Sequence, residues 1–190
     1  LYHIPRRYVD LTHPTPLAEA IPGQKCVVRA LLAAKGREQR IRRGLSVFRL
    51  TAVDGPVTLH ITFFNAKYTV DSLREGEEYL FYGTVAGGFY ARQMDSPQVF
   101  RPEEAGTLLP VYPLTQGLSN KMVSRQVAEA LHRVEQLPDP LAGSGLPQQY
   151  SLMSYSEALH AVHFPRDWAA IETGRSRMVF DELLCLTICF

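Results

Sequence analysis

The 190-residue sequence predicts a fold that is mostly β with added helices: a five-stranded barrel followed by a helical region. Between residues 25 and 97, apolar residues occur in short, alternating runs that are typical of strands. After Pro102 they recur at helical spacing instead. Apolar residues make up 46% of the chain, which at this length is enough to bury a core without disulfides.

The β region contains five predicted strands. The third follows the turn Asp54-Gly55-Pro56, and Gly87-Gly88 joins the fourth to the fifth as in a two-residue hairpin. A helical turn or two is expected between the third and fourth strands, before Gly76. The strands are predicted over residues 25–34, 45–53, 57–64, 78–86 and 89–94.

The order of these elements predicts a Greek-key barrel. A hairpin-like connection links strands two and three, and a short helix lies between strands three and four. The oligonucleotide-binding (OB) fold is the commonest small barrel with this plan. A β-sandwich or an SH3-like barrel is an alternative that fits the same strand pattern.

The second half of the chain is predicted to be irregular at first and then helical. Ser119 can cap a first helix, either Ser154 or Ser156 opens a second, and Phe164-Pro165 ends it. The predicted ranges are an extended stretch over 108–117 and helices over 120–136, 157–163 and 175–190. We therefore divide the chain into a truncated N-terminal segment (1–24), an OB-fold domain (25–106) and a helical linker (107–190).

Composition excludes several classes of protein. Lys plus Arg (20) nearly balances Asp plus Glu (19), which excludes a polybasic protein and, with the apolar content, a disordered one. Three cysteines without a C-x-x-C pair favour neither a disulfide framework nor a zinc site, and they fit the reducing cytoplasm. The chain starts at Leu1 and stops within an apolar segment, so we expect it to be part of a longer protein.

The sequence offers no credible catalytic site. It has no G-x-x-x-x-G-K-[ST] phosphate loop, no G-x-G-x-x-G after a strand, no G-x-S-x-G elbow and no H-E-x-x-H. Glu157, His160 and His163 have a spacing that could share a metal, but histidines at a helix C-terminus explain it better. We expect no enzyme activity, no catalytic residue, no bound metal and no cofactor in this chain.

A basic segment is the first indication of a nucleic-acid partner. Residues 35–43, KGREQRIRR, lie between the first two predicted strands, where an OB barrel has a loop flanking its ligand face. Arginine suits phosphates because its guanidinium can donate two parallel hydrogen bonds. An ordinary solvated loop remains an equal alternative. The candidate phosphate-binding residues are Lys35, Arg37, Arg40, Arg42 and Arg43.

Two aromatic residues are the second indication. Phe64 breaks the alternation of the third strand by placing a ring on its polar side, and Tyr68 follows four residues later. Exposed rings beside basic residues are what base stacking requires. Alternatively, both rings pack under the short helix and close the barrel. The sequence pattern favours neither interpretation.

Five segments together resemble the N-terminal wedge region of the RecG family of bacterial DNA helicases: LYHIPRRYVDLT, TFFNAKY, PVYPLTQGLSNKMV, ALHAVHFP and RMVFDELLCL, in that order. The resemblance implies an OB-fold wedge that recognises branched DNA at stalled replication forks and Holliday junctions, in repair and recombination. The family's F-N-x-x-Y residues match Phe64, Asn65 and Tyr68, and Lys67 lies alongside. The resemblance implies that both rings stack on unpaired bases at the branch point.

The resemblance also implies which partners and cofactors belong to this chain. ATP and Mg are expected for the motor domains of the parent protein, which this chain lacks. Branched DNA and those motor domains are the expected partners, no membrane is expected, and the chain is expected to be a monomer. The rival hypothesis is an interaction module that docks a partner protein, or its own motor, without binding DNA.

Overall fold

The structure is a computed structural model that describes residues 3–134 and 138–189, without the side chains of Val134 and Cys189. The chain forms two compact units. The first unit comprises residues 11–106 and is a β barrel. The second unit joins the N-terminal residues up to Asp10 to those from Thr107 onward. The sequence-based division into 1–24, 25–106 and 107–190 had instead kept residues 1–24 as a segment of their own.

Strands dominate the first half of the described residues. Their bounds are β1 Arg7–Asp10, β2 Lys25–Lys35, β3 Gln39–Arg42, β4 Leu45–Asp54, β5 Val57–Phe64, β6 Glu78–Thr84, β7 Ala86–Gly87, β8 Ala91–Asp95, β9 Gln98–Phe100 and β10 Leu108–Val111. One short helix, α1 (Lys67–Ser72), separates β5 from β6, as predicted, and a 3-10 turn covers Pro102–Glu104.

The barrel sheet has the connectivity of an OB fold. Strand β2 pairs antiparallel with β4 on one side and with β6 on the other, β4 continues to β5, and β5 pairs in parallel with β8. The sheet curls until β6 approaches β8, since a Cβ on Gly83 would lie 3.5 Å from Sδ of Met94. The predicted fold class is confirmed. Beside the five predicted strands the sheet also contains the short β3, β7 and β9.

The alternation of β5 sets which residues form the barrel core. Val57, Leu59, Ile61 and Phe63 are buried, whereas the residues between them point outward. Each buried side chain of this size contributes about 1.5–3 kcal/mol relative to exposure. Residues from β2, β4, β6, β8 and α1 also contribute to the core, and Leu17 and Ala20 from the preceding segment join it.

The connection into the fifth predicted strand differs from the prediction. The fourth strand ends at Thr84, and a separate strand β7 pairs with β8, which begins at Ala91 and not at residue 89. Gly87 has a φ of +91°, and a Cβ there would lie 2.4 Å from the Ala91 carbonyl oxygen. The turn therefore falls on residues 88–90, which starts one residue later and is one residue longer than the predicted Gly87-Gly88 turn.

The second unit has four helices among the described residues: α2 Asn120–Val134, α3 Leu146–Gln149, α4 Tyr155–His163 and α5 Trp168–Cys189. Ser119 accepts a hydrogen bond from the Met122 amide at the start of α2, and Ser154 caps α4. The two last residues of the predicted 120–136 helix lie outside the described residues. Helix α3 was not predicted.

The predicted bounds of two segments in this unit are wrong. Residues 108–111 form strand β10, not irregular chain, because β1 supplies its hydrogen-bonding partner with Arg7 opposite Val111. Helix α5 begins at Trp168 instead of Arg175. The carboxylate of Asp167 accepts a hydrogen bond from the Ala170 amide at 2.7 Å and so caps the earlier start.

Arg177 anchors the loop before α4 onto α5. Its side chain is fully buried. The guanidinium makes two hydrogen bonds to the Asp139 carboxylate, at 2.6 and 3.0 Å, and further bonds to Asp181 and to the Met153 carbonyl oxygen. Such a complete set of partners is what a buried guanidinium requires. The unit's apolar core lies beside it, formed by Leu131, Ala158, Leu159, Val162 and Met178.

Candidate nucleic-acid interface

The basic segment forms a β-hairpin. Strand β3 pairs with the start of β4, with Arg40 opposite Ser46 and Arg42 opposite Leu45. Gly44 turns the chain with a φ of +82°. Every side chain of β3 is exposed. The sequence predicted a loop here, whereas the structure places Arg40 and Arg42 on a paired strand.

A close approach of main chains fixes the base of this hairpin. The Gly36 amide donates to the Arg49 carbonyl oxygen at 2.7 Å. A Cβ at Gly36 would lie 2.6 Å from that oxygen, so only glycine fits without a shift. The Arg49 side chain donates to Gln39 on the neighbouring strand. The hairpin is therefore tied to the barrel at its base.

The predicted phosphate-binding residues fall into two groups. Arg37, Arg42 and Arg43 are exposed and make no ion pair or hydrogen bond through their side chains to the described residues. Arg40 is exposed and lies 3.7 Å from the Glu38 carboxylate. Lys35 differs from these four, because its Nζ donates to the Leu73 carbonyl oxygen at 2.7 Å.

Glu38 lies within the electrostatic influence of both the hairpin and the start of α1. The Ser46 hydroxyl donates to Glu38 at 2.5 Å and holds the pKa of that carboxyl below its usual value. The charges of Arg40 and Lys67 lower the same pKa. The positive charges of Lys67 and Arg40 therefore both act on the Glu38 carboxylate.

Asn65 joins the end of β5 to the tip of the hairpin. Its Oδ1 accepts from the Ser46 amide at 2.8 Å, and its Nδ2 donates to the Gly44 carbonyl oxygen at 2.9 Å. The residue has a φ of +50°, a left-handed conformation that asparagine tolerates better than most residues. Both ends of the side-chain amide are thus bound to main chain.

Phe64 and Tyr68 are both on the surface. Phe64 is 46% exposed and Tyr68 is 93% exposed. Neither ring closes the barrel, so the alternative that both are core residues is wrong. Since Phe64 precedes Asn65 directly, the aromatic residues and the basic hairpin are brought together at one end of β5.

Two of the three candidate metal residues of α4, Glu157 and His163, are engaged elsewhere. The Glu157 carboxylate accepts from the Ser154 amide in a capping box. Nδ1 of His163 lies 3.0 Å from the Tyr112 hydroxyl, and the two rings stack. Burial raises the pKa of Tyr112. Within residues 3–134 and 138–189 no group of three metal-ligating side chains is close enough to hold an ion.

Sequence reasoning missed one pair of surface aromatic residues. Phe89 and Tyr90 occupy the turn between β7 and β8 and are 59% and 73% exposed. The sequence pattern had placed both inside a strand. The only available signal was Gly87-Gly88 directly before them, which marks a turn but not its register.

Comparison with known proteins identifies the family. The profile of the RecG wedge domain matches residues 1–134, which is more than half of the chain. The chain belongs to the RecG wedge domain family. Curated relatives agree with this. ATP-dependent DNA helicase RecG of Escherichia coli (strain K12) is 30% identical over 203 residues, and its Thermotoga maritima counterpart is 24% identical over 201.

The alignments with these relatives cover this chain almost completely but only part of each relative. The two alignments span 97% and 100% of this chain, and 28% and 25% of the relatives' lengths. A solved structure of RecG bound to a three-way DNA junction superposes with a TM-score of 0.77 at 23% identity, over 99% of this chain and 26% of that one. This likeness shows a shared fold. Among the described residues of the wedge domain, no helix is long and apolar enough to cross a membrane.

Proposed function

We propose that this chain is the branched-DNA-binding wedge of a RecG helicase and that it binds at the junction of stalled replication forks and Holliday junctions. One observation carries the proposal: Asn65 fastens the exposed Phe64 end of β5 to the basic hairpin through the Gly44 carbonyl oxygen. An exposed aromatic face and the exposed arginines of the hairpin thus stand next to each other. A branch point offers unpaired bases beside phosphates, which is the matching arrangement.

Each part of this surface has its own role in the proposal. The hairpin arginines Arg37, Arg40, Arg42 and Arg43 contact phosphates and position the DNA, since phosphate contacts do not distinguish sequences. Phe64 and Tyr68 stack on the bases that are exposed where the arms separate. Stacking that is lost at the junction is replaced by stacking on the rings. Lys67 adds positive charge beside them.

Two of the predicted site residues take different roles here. Asn65 positions the hairpin, because both ends of its amide are bound to main chain. Lys35 holds the end of α1 through the Leu73 carbonyl oxygen, so its ammonium is a weaker candidate for phosphate than the arginines. We therefore assign phosphate binding to the four exposed arginines.

The wedge is proposed to be non-catalytic on its own and to act as a monomer in the cytoplasm. ATP and Mg would serve the motor domains of the parent helicase, which would supply the work of unwinding in DNA repair and recombination. The match to about a quarter of each RecG relative supports this division of labour.

Fluorescence anisotropy of the 190-residue chain with labelled DNA tests the proposal. We expect tighter binding to a fork than to a linear duplex of equal length and sequence. Exchange of Phe64 and Tyr68 for alanine should abolish that preference. Equal affinity for fork and duplex, with or without the rings, would support the protein-docking module instead.

A further inference from the structure

A second exposed aromatic pair lies outside the proposed branch-point site. Phe89 and Tyr90 form the tip of the β7–β8 turn, are 59% and 73% exposed, and pack edge to face with their ring centroids 5.1 Å apart. Leaving two adjacent rings in water forgoes the burial that each could obtain in the core. A ligand with flat apolar faces would recover that free energy.

The turn that carries these rings is well anchored. The Tyr90 carbonyl oxygen accepts a hydrogen bond from the Thr58 amide of β5 at 3.1 Å. The Phe89 ring centroid lies 5.8 Å from the Arg92 guanidinium, whose Nε donates to the Leu17 carbonyl oxygen at 3.4 Å. Because these contacts hold the turn in place, the two rings would lose little conformational entropy when a ligand binds.

The two aromatic pairs mark opposite ends of one strand. Thr58 of β5 is bonded to Tyr90, and Phe64 ends the same strand six residues later. At about 3.3 Å per residue, the strand separates these ends by about 20 Å. A stacked single strand rises about 3.4 Å per nucleotide, so about six nucleotides span this distance. That length falls within the 4–16 nucleotides or so that one OB fold covers.

The surface of β5 between the two aromatic pairs is polar. Thr58, His60 and Thr62 point outward from β5, and their side chains make no hydrogen bond to the described residues. The strand pairing places Thr51 on one side of His60 and Gln93 on the other. Hydroxyl, imidazole and amide groups can bond to base edges, whereas an apolar peptide would leave them unpaired.

Charge along this path is balanced. Arg49 and Asp95 flank Thr62 on the two neighbouring strands. An electrically neutral surface with aromatic rings at each end suits the bases of a single DNA strand whose phosphates point towards solvent. It does not suit a duplex, whose bases are already stacked and whose phosphates face the protein.

We propose that Phe89 and Tyr90 are a second stacking site, which receives one unpaired DNA strand after it leaves Phe64 and runs along the outer face of β5. This inference rests on the proposed function, because the strand enters from the branch point. It adds a length requirement: an unpaired arm must reach across β5 before the second pair contributes.

Two forks that differ in one arm test the inference. One fork carries an unpaired arm of two nucleotides and the other an arm of ten. The variant Phe89→Ala/Tyr90→Ala should bind the ten-nucleotide fork about five-fold to a hundred-fold more weakly than the unchanged chain, the loss that one stacked base gives. Its affinity for the two-nucleotide fork should be unchanged.

Two further variants keep the test independent of folding. Phe89→Tyr/Tyr90→Phe retains both rings and should bind like the unchanged chain. Phe89→Leu/Tyr90→Leu keeps apolar bulk over Arg92 but has no ring face, so it should show the same defect as the alanine variant. Thermal melting of all three checks that the barrel is intact.

The branch-point variant Phe64→Ala/Tyr68→Ala separates the two proposals. It should weaken binding to both forks. If it does so while Phe89→Leu/Tyr90→Leu binds the ten-nucleotide fork like the unchanged chain, the second stacking site is refuted and the proposed function stands. If Phe64→Ala/Tyr68→Ala binds both forks normally, the branch-point function itself fails.

Discussion

Nδ2 of Asn65 donates to the Gly44 carbonyl oxygen at 2.9 Å, and this bond links the aromatic end of β5 to the tip of the basic hairpin. The other end of the same amide accepts from the Ser46 main chain. Since Phe64 precedes Asn65 and Arg43 precedes Gly44, one side chain sets the spacing between a stacking surface and a phosphate-binding surface.

Replacing Asn65 with glycine should weaken this link without straining the backbone. Glycine adopts the residue's φ of +50° freely, so Asn65→Gly removes two hydrogen bonds and little else. Two bonds at about 1 kcal/mol each lower the free energy of unfolding by about 1–3 kcal/mol. Urea denaturation measures this, and fork affinity should fall although the variant keeps every proposed DNA-contacting residue.

Asn65→Asp is the matched control for that change. It retains the acceptor for the Ser46 amide but loses the donor to the Gly44 carbonyl oxygen, so its stability should lie below that of the unchanged chain. Unfolding midpoints for Asn65→Gly that equal those of the unchanged chain would contradict the linking role.

The hairpin charges should make DNA binding strongly dependent on salt. Four exposed arginines that each neutralise one phosphate give a slope of about −3.6 for log affinity against log salt. The variant Arg42→Glu/Arg43→Glu should weaken binding to fork and linear duplex alike and flatten the slope by about 2. Anisotropy titrations at several salt concentrations measure both effects.

A change of equal charge elsewhere controls for the net charge of the chain. Arg125 and Arg133 are exposed on α2, outside the proposed interface. Arg125→Glu/Arg133→Glu should leave the slope near its original value. A slope that changes equally in both double variants would assign the effect to overall charge and not to the hairpin.

Much of the barrel could be predicted from the sequence because its strands alternate cleanly. In β5, Leu59 and Ile61 are buried and His60 is exposed, as period-two alternation requires. Phe64 was recognisable as an exception to that alternation. Ser154 and Glu157 at the start of α4 likewise form the capping box that their spacing allows.

Other features depend on contacts between distant residues, which a local pattern does not encode. Strand β10 exists because β1, about a hundred residues earlier, pairs with it. The role of Asn65 depends on main-chain groups at Gly44 and Ser46. The exposure of Phe89 follows from the turn register that Gly87 sets against the Ala91 carbonyl oxygen.

The Arg177–Asp139 pair should make the second unit sensitive to acid. The Arg177 hydrogen bonds hold the pKa of Asp139 at about 2, below its ordinary 3.8. A carboxyl whose pKa is lower in the folded than in the unfolded state stabilises the fold at pH values above its unfolded-state pKa. That contribution is lost as the pH falls through its folded-state pKa. The contribution should therefore be intact above about pH 4 and lost towards pH 2.

Comparison with Asp139→Asn isolates this effect from other carboxylates. At pH 7 the variant should be less stable, because it leaves the fully buried Arg177 with one charged partner fewer. The gap in unfolding midpoint between the two chains should narrow from pH 4 to pH 2, as urea denaturation at each pH would measure. A gap that stays constant over this range would argue against Asp139 as the titrating group.

The aromatic pair at the branch-point site provides the most direct test of the wedge. Tyr68 is 93% exposed and Phe64 46%, so Phe64→Ala/Tyr68→Ala should lower the melting temperature little, since surface substitutions usually cost within about 0.5 kcal/mol. The variant should lose at most about 2–6 kcal/mol of fork binding, with one stacked base per ring. Linear duplex binding should hardly change, because a continuous stack offers the rings no open base face.

Thermal melting beside fork and duplex titrations tests the stacking role of these rings. If the rings supported the fold, removing two buried aromatics would cost about 3–5 kcal/mol each and would impair binding to every DNA through unfolding. The matched variant Phe64→Tyr/Tyr68→Phe keeps both ring faces and should keep fork affinity. A stable alanine variant with a fork-specific loss, and rescue by the ring-preserving variant, would assign these two residues to stacking. A large loss of stability without a fork-specific defect would exclude that role.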